Sequence, residues 1–187
     1  MLKTYTKRLM VEALKSLLAS KTLDKITIRD ITEKCGASKQ TFYNHFQDKY
    51  ELFYYAVEKV LQENLDNSFQ NSNSFEEVIL NYYRTIESDR TFYKAFIRDV
   101  TAREHINNCI VEYAGSFFRN QIVDAISQEG ITEEQELAIR FTSVGLAELV
   151  VDWIRSGMTR SPELQAKVSY TCIPESLKKY CVYHNKD

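Results

Sequence analysis

The sequence predicts an all-α protein, with an N-terminal three-helix bundle containing a helix-turn-helix and a larger helical region behind it. Three observations carry that prediction. Glycine (5) and proline (2) are scarce in 187 residues. Apolar residues recur at three- and four-residue spacing almost throughout, and capping residues stand where those stripes begin.

In the first helix Met10, Ala13, Leu14, Leu17 and Leu18 form one apolar stripe. The stretch "TIRDITEKCG" opens with Thr27 three residues before Asp30, in capping-box style, sets Ile28, Ile31 and Cys35 on one face, and stops at Gly36. Ser38 starts a second short helix with Phe42 and Phe46 at i, i+4. Asp48 and Glu51 then cap a long helix that turns Phe53, Val57, Val60, Leu61 and Leu65 inward. The polar run "DNSFQNSNS" is expected to be a loop. Ser74 and Glu77 cap the next helix, with Phe75, Val78, Ile79, Tyr82, Tyr83 and Ile86 as its stripe. Further helices are expected near 90–99, 103–128 and 133–156, the last capped by Thr132 and ended by Gly157. Ser161-Pro162 starts another that Pro174 limits.

The formal net charge is only -2, but it is unevenly spread. Residues 1–50 hold ten Lys/Arg against five Asp/Glu, and the remainder fourteen against twenty-one, a basic head on an acidic body. Four scattered cysteines, Cys35, Cys109, Cys172 and Cys181, show no zinc-ligand spacing, so no metal or other cofactor is expected. Apolar runs fall short of the ~20 residues that cross a bilayer. With no secretory pattern in "MLKTYTKRLMVEALKSLL", a cytoplasmic protein without membrane association is expected.

Two short helices joined by a tight glycine turn have the dimensions of a helix-turn-helix. With Phe42 and Phe46 turned inward, Lys39, Gln40, Tyr43 and Asn44 project outward. Gln and Asn suit an adenine edge, Lys suits guanine or phosphate, and a tyrosine hydroxyl suits phosphate. His45 is either a polar cap of the short helix or a phosphate contact. As a catalytic base it lacks a neighbouring Ser or Cys nucleophile and an orienting acid, and isolated His105 and Glu112 add nothing, so no enzyme is expected.

Residues 36–53, "GASKQTFYNHFQDKYELF", carry the pattern G-x-S-x-x-T-(F/L)-Y-x-(H/Y)-F-x-x-K-x-x-(L/F), matched at Gly36, Ser38, Thr41, Phe42, Tyr43, His45, Phe46, Lys49 and Leu52. This resembles the signature of the TetR/AcrR family of bacterial transcriptional regulators, over about residues 5 to 55. "ELVVDWIRSGMTRSPEL" resembles a subgroup that includes regulators of dihydroxyacetone kinase operons. The resemblance implies a DNA-binding domain over 1–48 and a ligand-binding and dimerisation domain over 49–187. It implies phosphate contacts at Thr27, Tyr43, His45 and Lys49, and base contacts near Lys39, Gln40, Thr41 and Asn44, with Ser38 beside them at the start of the reading helix. It also implies an effector pocket in the body, for which Tyr82, Tyr83, Phe96, Tyr113, Phe117 and Phe141 are the candidates.

The body's aromatics are too many to be pure core, since buried tyrosines need hydroxyl partners. The helix at 133–156 is apolar nearly all round, with Leu137, Phe141, Val144 and Leu149 on several sides and small Gly145 and Ala147. With Leu164, Val168 and Cys172 of the following helix it is the expected homodimer seam. The expected function is a homodimeric DNA-binding regulator, a repressor released from a palindromic double-stranded operator by a small-molecule effector. The alternative is a co-regulator on the same fold, working through a partner protein without a small-molecule ligand. An apolar cavity of about 300 Å³ or more would favour the first and a packed interior the second.

Overall fold

The computed structural model describes residues 2–97, 100–126 and 130–181. Among these the chain forms ten α-helices and no strand: α1 (Leu2–Leu18), α2 (Ile28–Cys35), α3 (Lys39–Tyr43), α4 (Lys49–Gln70), α5 (Phe75–Ser88), α6 (Arg90–Ile97), α7 (Val100–Ile126), α8 (Glu133–Arg155), α9 (Pro162–Cys172) and α10 (Glu175–Lys178). A 3-10 turn, Leu23–Lys25, links α1 to α2. The ends of the helices at 90–99 and 103–128, as expected from sequence, fall partly outside the described residues, and α7 begins three residues earlier than expected.

Most helix starts follow the local capping chemistry. Thr132 and Gln135 form a reciprocal box at α8, and the side chains of Ser38, Asp48, Ser74 and Ser161 each accept a bond from the backbone of their first turn.

The polar run after Leu65 departs from its expected loop. Helix α4 continues into it as far as Gln70 because small polar side chains there are used internally, and only residues 71–74 form the expected loop. Asn64 Nδ2 donates to the Tyr93 hydroxyl at 2.7 Å, Ser68 Oγ to Asn64 O at 2.7 Å, and Asn81 Nδ2 to Ser72 Oγ at 2.9 Å. Phe69 lies on the inward side, its ring 4.9 Å from that of Phe117. Tertiary partners here override a weak local preference.

One buried cluster runs from Met10, Leu14, Ile31, Phe42 and Phe46 in the N-terminal helices through Leu52 and Phe53 of α4 to Tyr83 and Trp153 in the body. Helix α4 therefore packs against both the N-terminal helices and the body, and the recognition elements are joined to the body through one continuous core. Trp153 is fully buried, its ring edge-on to Tyr83 at 5.1 Å and its Nε1 donating to Arg160 O.

Candidate nucleic-acid interface and body cavity

Two local devices build the helix-turn-helix. Thr27 Oγ1 accepts from Asp30 N at 3.1 Å, while Asp30 Oδ2 accepts from Thr27 N at 2.8 Å and from the Thr27 hydroxyl at 2.8 Å. Those bonds, with Lys21 Nζ at 3.1 Å, hold the Asp30 carboxyl down at about 2. At the other end of α2, Gly36 takes φ +70, and no atom lies within 4 Å of where a Cβ would stand. Glycine is required there by the backbone, not by space.

Helix α3 leaves this turn with its two faces sorted. Phe42 and Phe46 are buried. Lys39, Gln40, Tyr43 and Asn44 are all exposed, Tyr43 by 54%, its ring set edge-on against Phe42 at 5.8 Å. Gln40 Nε2 donates to Asn44 Oδ1 at 3.2 Å, so the two amides are oriented together. Ser38 Oγ accepts from Thr41 N and shares a bond with the Thr41 hydroxyl at 2.9 Å, an arrangement that fixes the helix start. His45 is half-buried beside Phe46 and makes no side-chain hydrogen bond among the described residues.

Two expected phosphate contacts are engaged within the chain. The donors of Thr27 go to Asp30. Lys49 Nζ donates to three backbone carbonyls, Leu23 at 2.9 Å, Asp24 at 2.9 Å and Ile26 at 2.8 Å. The Thr27 pairing is the expected capping box, whereas the three carbonyl partners of Lys49 lie 23 to 26 residues upstream, beyond any helical spacing.

Residues 11–56 match the family described as bacterial regulatory proteins, tetR family, and residues 73–173 match the transcriptional regulator C-terminal region. The chain belongs to the TetR family of bacterial transcriptional regulators. As a TetR-family protein it is a DNA-binding regulator, not an enzyme. A curated relative, the HTH-type dhaKLM operon transcriptional activator DhaS of Lactococcus lactis subsp. lactis (strain IL1403), is 30% identical over 95 residues, a match that spans about half the length of each chain. The solved dihydroxyacetone kinase operon activator DhaS superposes with a TM-score of 0.69 at 19% identity, over 95% of this chain and 98% of that one. The fatty acid degradation regulator FadR from Bacillus halodurans does so at 0.62 and 13%, over 92% and 96%. A TetR-family regulator from Streptomyces coelicolor does so at 0.58 and 14%, over 95% and 87%. These structural likenesses concern the fold.

The body of this TetR-family chain holds a half-open cavity of about 90 Å³ between α4, α5, α7, α8 and α9. Four of the six expected lining residues, Tyr82, Tyr83, Tyr113 and Phe117, border it, together with Leu61, Leu65, Ile110, Val150 and Ser169. The side chain of Phe96 lies outside the described residues. Phe141 overturns its expectation as a pocket residue, being 79% exposed. Ile139 and Ser143 are among the inward residues of α8, and at about 100° per residue Phe141 points some 200° away from each.

The cavity is small because aromatic rings fill the space around it, Phe75 stacking on Phe117 at 4.9 Å with Phe69 on Phe117 at the same distance. Its phenols are neutral. Burial pushes the Tyr82 hydroxyl well above its ordinary value, and burial pushes Tyr83 and Tyr113 up to about 12. Tyr83 and Ser169 share a hydrogen bond at 2.9 Å. The site therefore presents hydroxyls and apolar surface, and no charge. No helix among the described residues is long and apolar enough to cross a membrane.

Proposed function

We propose that the chain works as a homodimer gripping a palindromic DNA operator with its two copies of α3, and that its regulatory signal arrives through a partner protein bound to the body. The DNA part rests on the outward set Lys39, Gln40, Tyr43 and Asn44, an exposed polar face on a short helix anchored from behind by two phenylalanines. On this reading residues 1–48 read DNA, 49–187 dimerise and receive the signal, and the protein works in the cytoplasm.

Dimerisation is supported by an apolar stripe left facing water. Leu137, Phe141 and Val144 of α8 continue into Leu164 and Val168 of α9. A stripe of this kind marks a covered face, and a two-fold mate buries it in a four-helix bundle. Two recognition helices about 34 Å apart then meet successive major grooves.

Input through a protein is favoured by the cavity, whose 90 Å³ is well below the roughly 300 Å³ at which small-molecule sites begin. The similarity to an operon activator favours positive control. The second reading, a repressor released by a small effector, is favoured by the presence of a cavity with neutral phenols. That effector would be compact and uncharged, and would bind better to a state whose recognition helices are wrongly spaced, with α4 carrying the tilt.

Fluorescence anisotropy with the intergenic DNA upstream of the gene, at several salt concentrations, tests the DNA reading. Wild type is expected to bind with a steep salt slope and Tyr43→Phe to bind more weakly. Absence of binding by wild type at low salt refutes it. Ala114→Leu, which fills the cavity from α7, separates the two inputs: an unchanged transcriptional response supports the partner protein, and a lost response supports the effector.

A further inference from the structure

We infer that Lys49 is a positioning residue for operator reading, a half-buried cation that holds the helix-turn-helix to α4, and not a phosphate contact. The inference rests on the proposal that α3 reads DNA. An ammonium has three N–H donors. All three here find carbonyl oxygens, on Leu23, Asp24 and Ile26, at 2.8 to 2.9 Å. Nothing remains for a phosphate oxygen unless one of those bonds breaks.

The location explains why the chain uses a lysine there. Lys49 is the first residue of α4, where the helix dipole disfavours a cation, so the helix alone gives no reason for it. The reason lies across the fold. Leu23 and Ile26 are buried; Leu23 O already accepts from Ile26 N at 3.1 Å, whereas Ile26 O, in the same buried surroundings, has the Lys49 ammonium as its partner. Residues 23–26 lead directly into the Thr27 cap of α2, α2 runs to Gly36, and Gly36 turns the chain into α3. The ammonium thus ties the segment that aims α2 and α3 to the first turn of the helix that enters the body. A compact tetrahedral donor suits three converging carbonyls, and a planar guanidinium does not.

The exchange of Lys49 for Arg separates the roles, because arginine is at least as good a phosphate ligand. Full-length wild type, Lys49→Arg and Lys49→Gln are titrated with the upstream intergenic duplex and with an unrelated duplex of equal length, over a range of NaCl and at a temperature where circular dichroism shows all three folded. Expected is a loss of roughly tenfold for Lys49→Arg on the intergenic duplex, the size of one lost base contact, with an unchanged salt slope and little loss on the unrelated duplex. Wild-type affinity for Lys49→Arg, with Lys49→Gln lowering the slope by about one per subunit, overturns the inference. Failure of wild type to distinguish the two duplexes instead refutes the DNA reading itself. A second measurement needs no variant: the Lys49 Nζ resonance of wild type should be slowly exchanging in the free protein and unmoved by DNA. A resonance that appears or shifts only on DNA addition overturns the inference.

Discussion

Lys15 of α1 and Asp89, between α5 and α6, meet with Nζ 2.6 Å from Oδ2, and the same ammonium lies 4.9 Å from the centre of the Phe92 ring. The pair joins the helices that carry the reading head to the body. The next residue, Arg90, donates to the carbonyls of Gly157 and Met158 at the end of α8. Two consecutive side chains thus connect the head to the exposed apolar helix proposed as the dimer seam. Both partners are partly exposed, which limits the strength of the pair. A double-mutant cycle of Lys15→Met and Asp89→Asn, followed by urea unfolding, is expected to return a coupling of roughly 0.5–1 kcal/mol. A coupling near zero would mean that this ion pair adds nothing to the attachment of the head.

The Asn64–Tyr93 bond lies in the interior of the body, at 2.7 Å between two buried side chains. Tyr93→Phe leaves the Asn64 amide without that partner, and a loss of about 1–3 kcal/mol in unfolding free energy is expected. Replacing both, as Asn64→Leu with Tyr93→Phe, should cost less than the sum of the single changes. Additive costs would show that the bond contributes nothing beyond packing.

Acid should weaken the capping box of α2. The Asp30 carboxyl titrates at about 2 in the folded chain against an ordinary 3.8. Because the folded value is the lower one, its stabilising effect is complete above about pH 4 and fades as pH falls from there towards 2. The melting-temperature gap between wild type and Asp30→Asn is expected to be constant above pH 5 and to close between pH 4 and 2. A gap that persists at pH 2 would place its origin in something other than the charge.

Phe141→Glu or Leu164→Glu puts a carboxylate on the exposed apolar stripe of α8 and α9. Sedimentation velocity is expected to find a dimer for wild type and monomers for the variants, with circular dichroism unchanged because neither side chain is buried. Dimers in both variants would move the seam elsewhere.

The short-range features of this fold were legible because their partners lie within a turn. Thr27 with Asp30, Ser38 with Thr41, and Thr132 with Gln135 are all three apart, so the same residues that start a helix in the sequence start it in space. The outward set on α3 was legible for a similar reason, since Phe42 and Phe46 identify the inner face and the remainder follows from the period of the helix. Lys49 was not, because its partners lie 23 to 26 residues upstream. The continuation of α4 to Gln70 and the size of the cavity also depend on groups from α5, α6 and α7 that no window of sequence brings together.

Where most helices begin, which faces of α2 and α3 turn inward, and the family to which the chain belongs were all readable from residue order alone, since these depend on covalent neighbours and on helical periodicity. Helix packing instead set Phe141 on the outer face of α8 away from the cavity, limited that cavity to about 90 Å³, and engaged the Lys49 ammonium with three carbonyls. Each of those outcomes depends on which distant groups compete for the same volume or the same hydrogen bond, and that competition is resolved only when the helices pack.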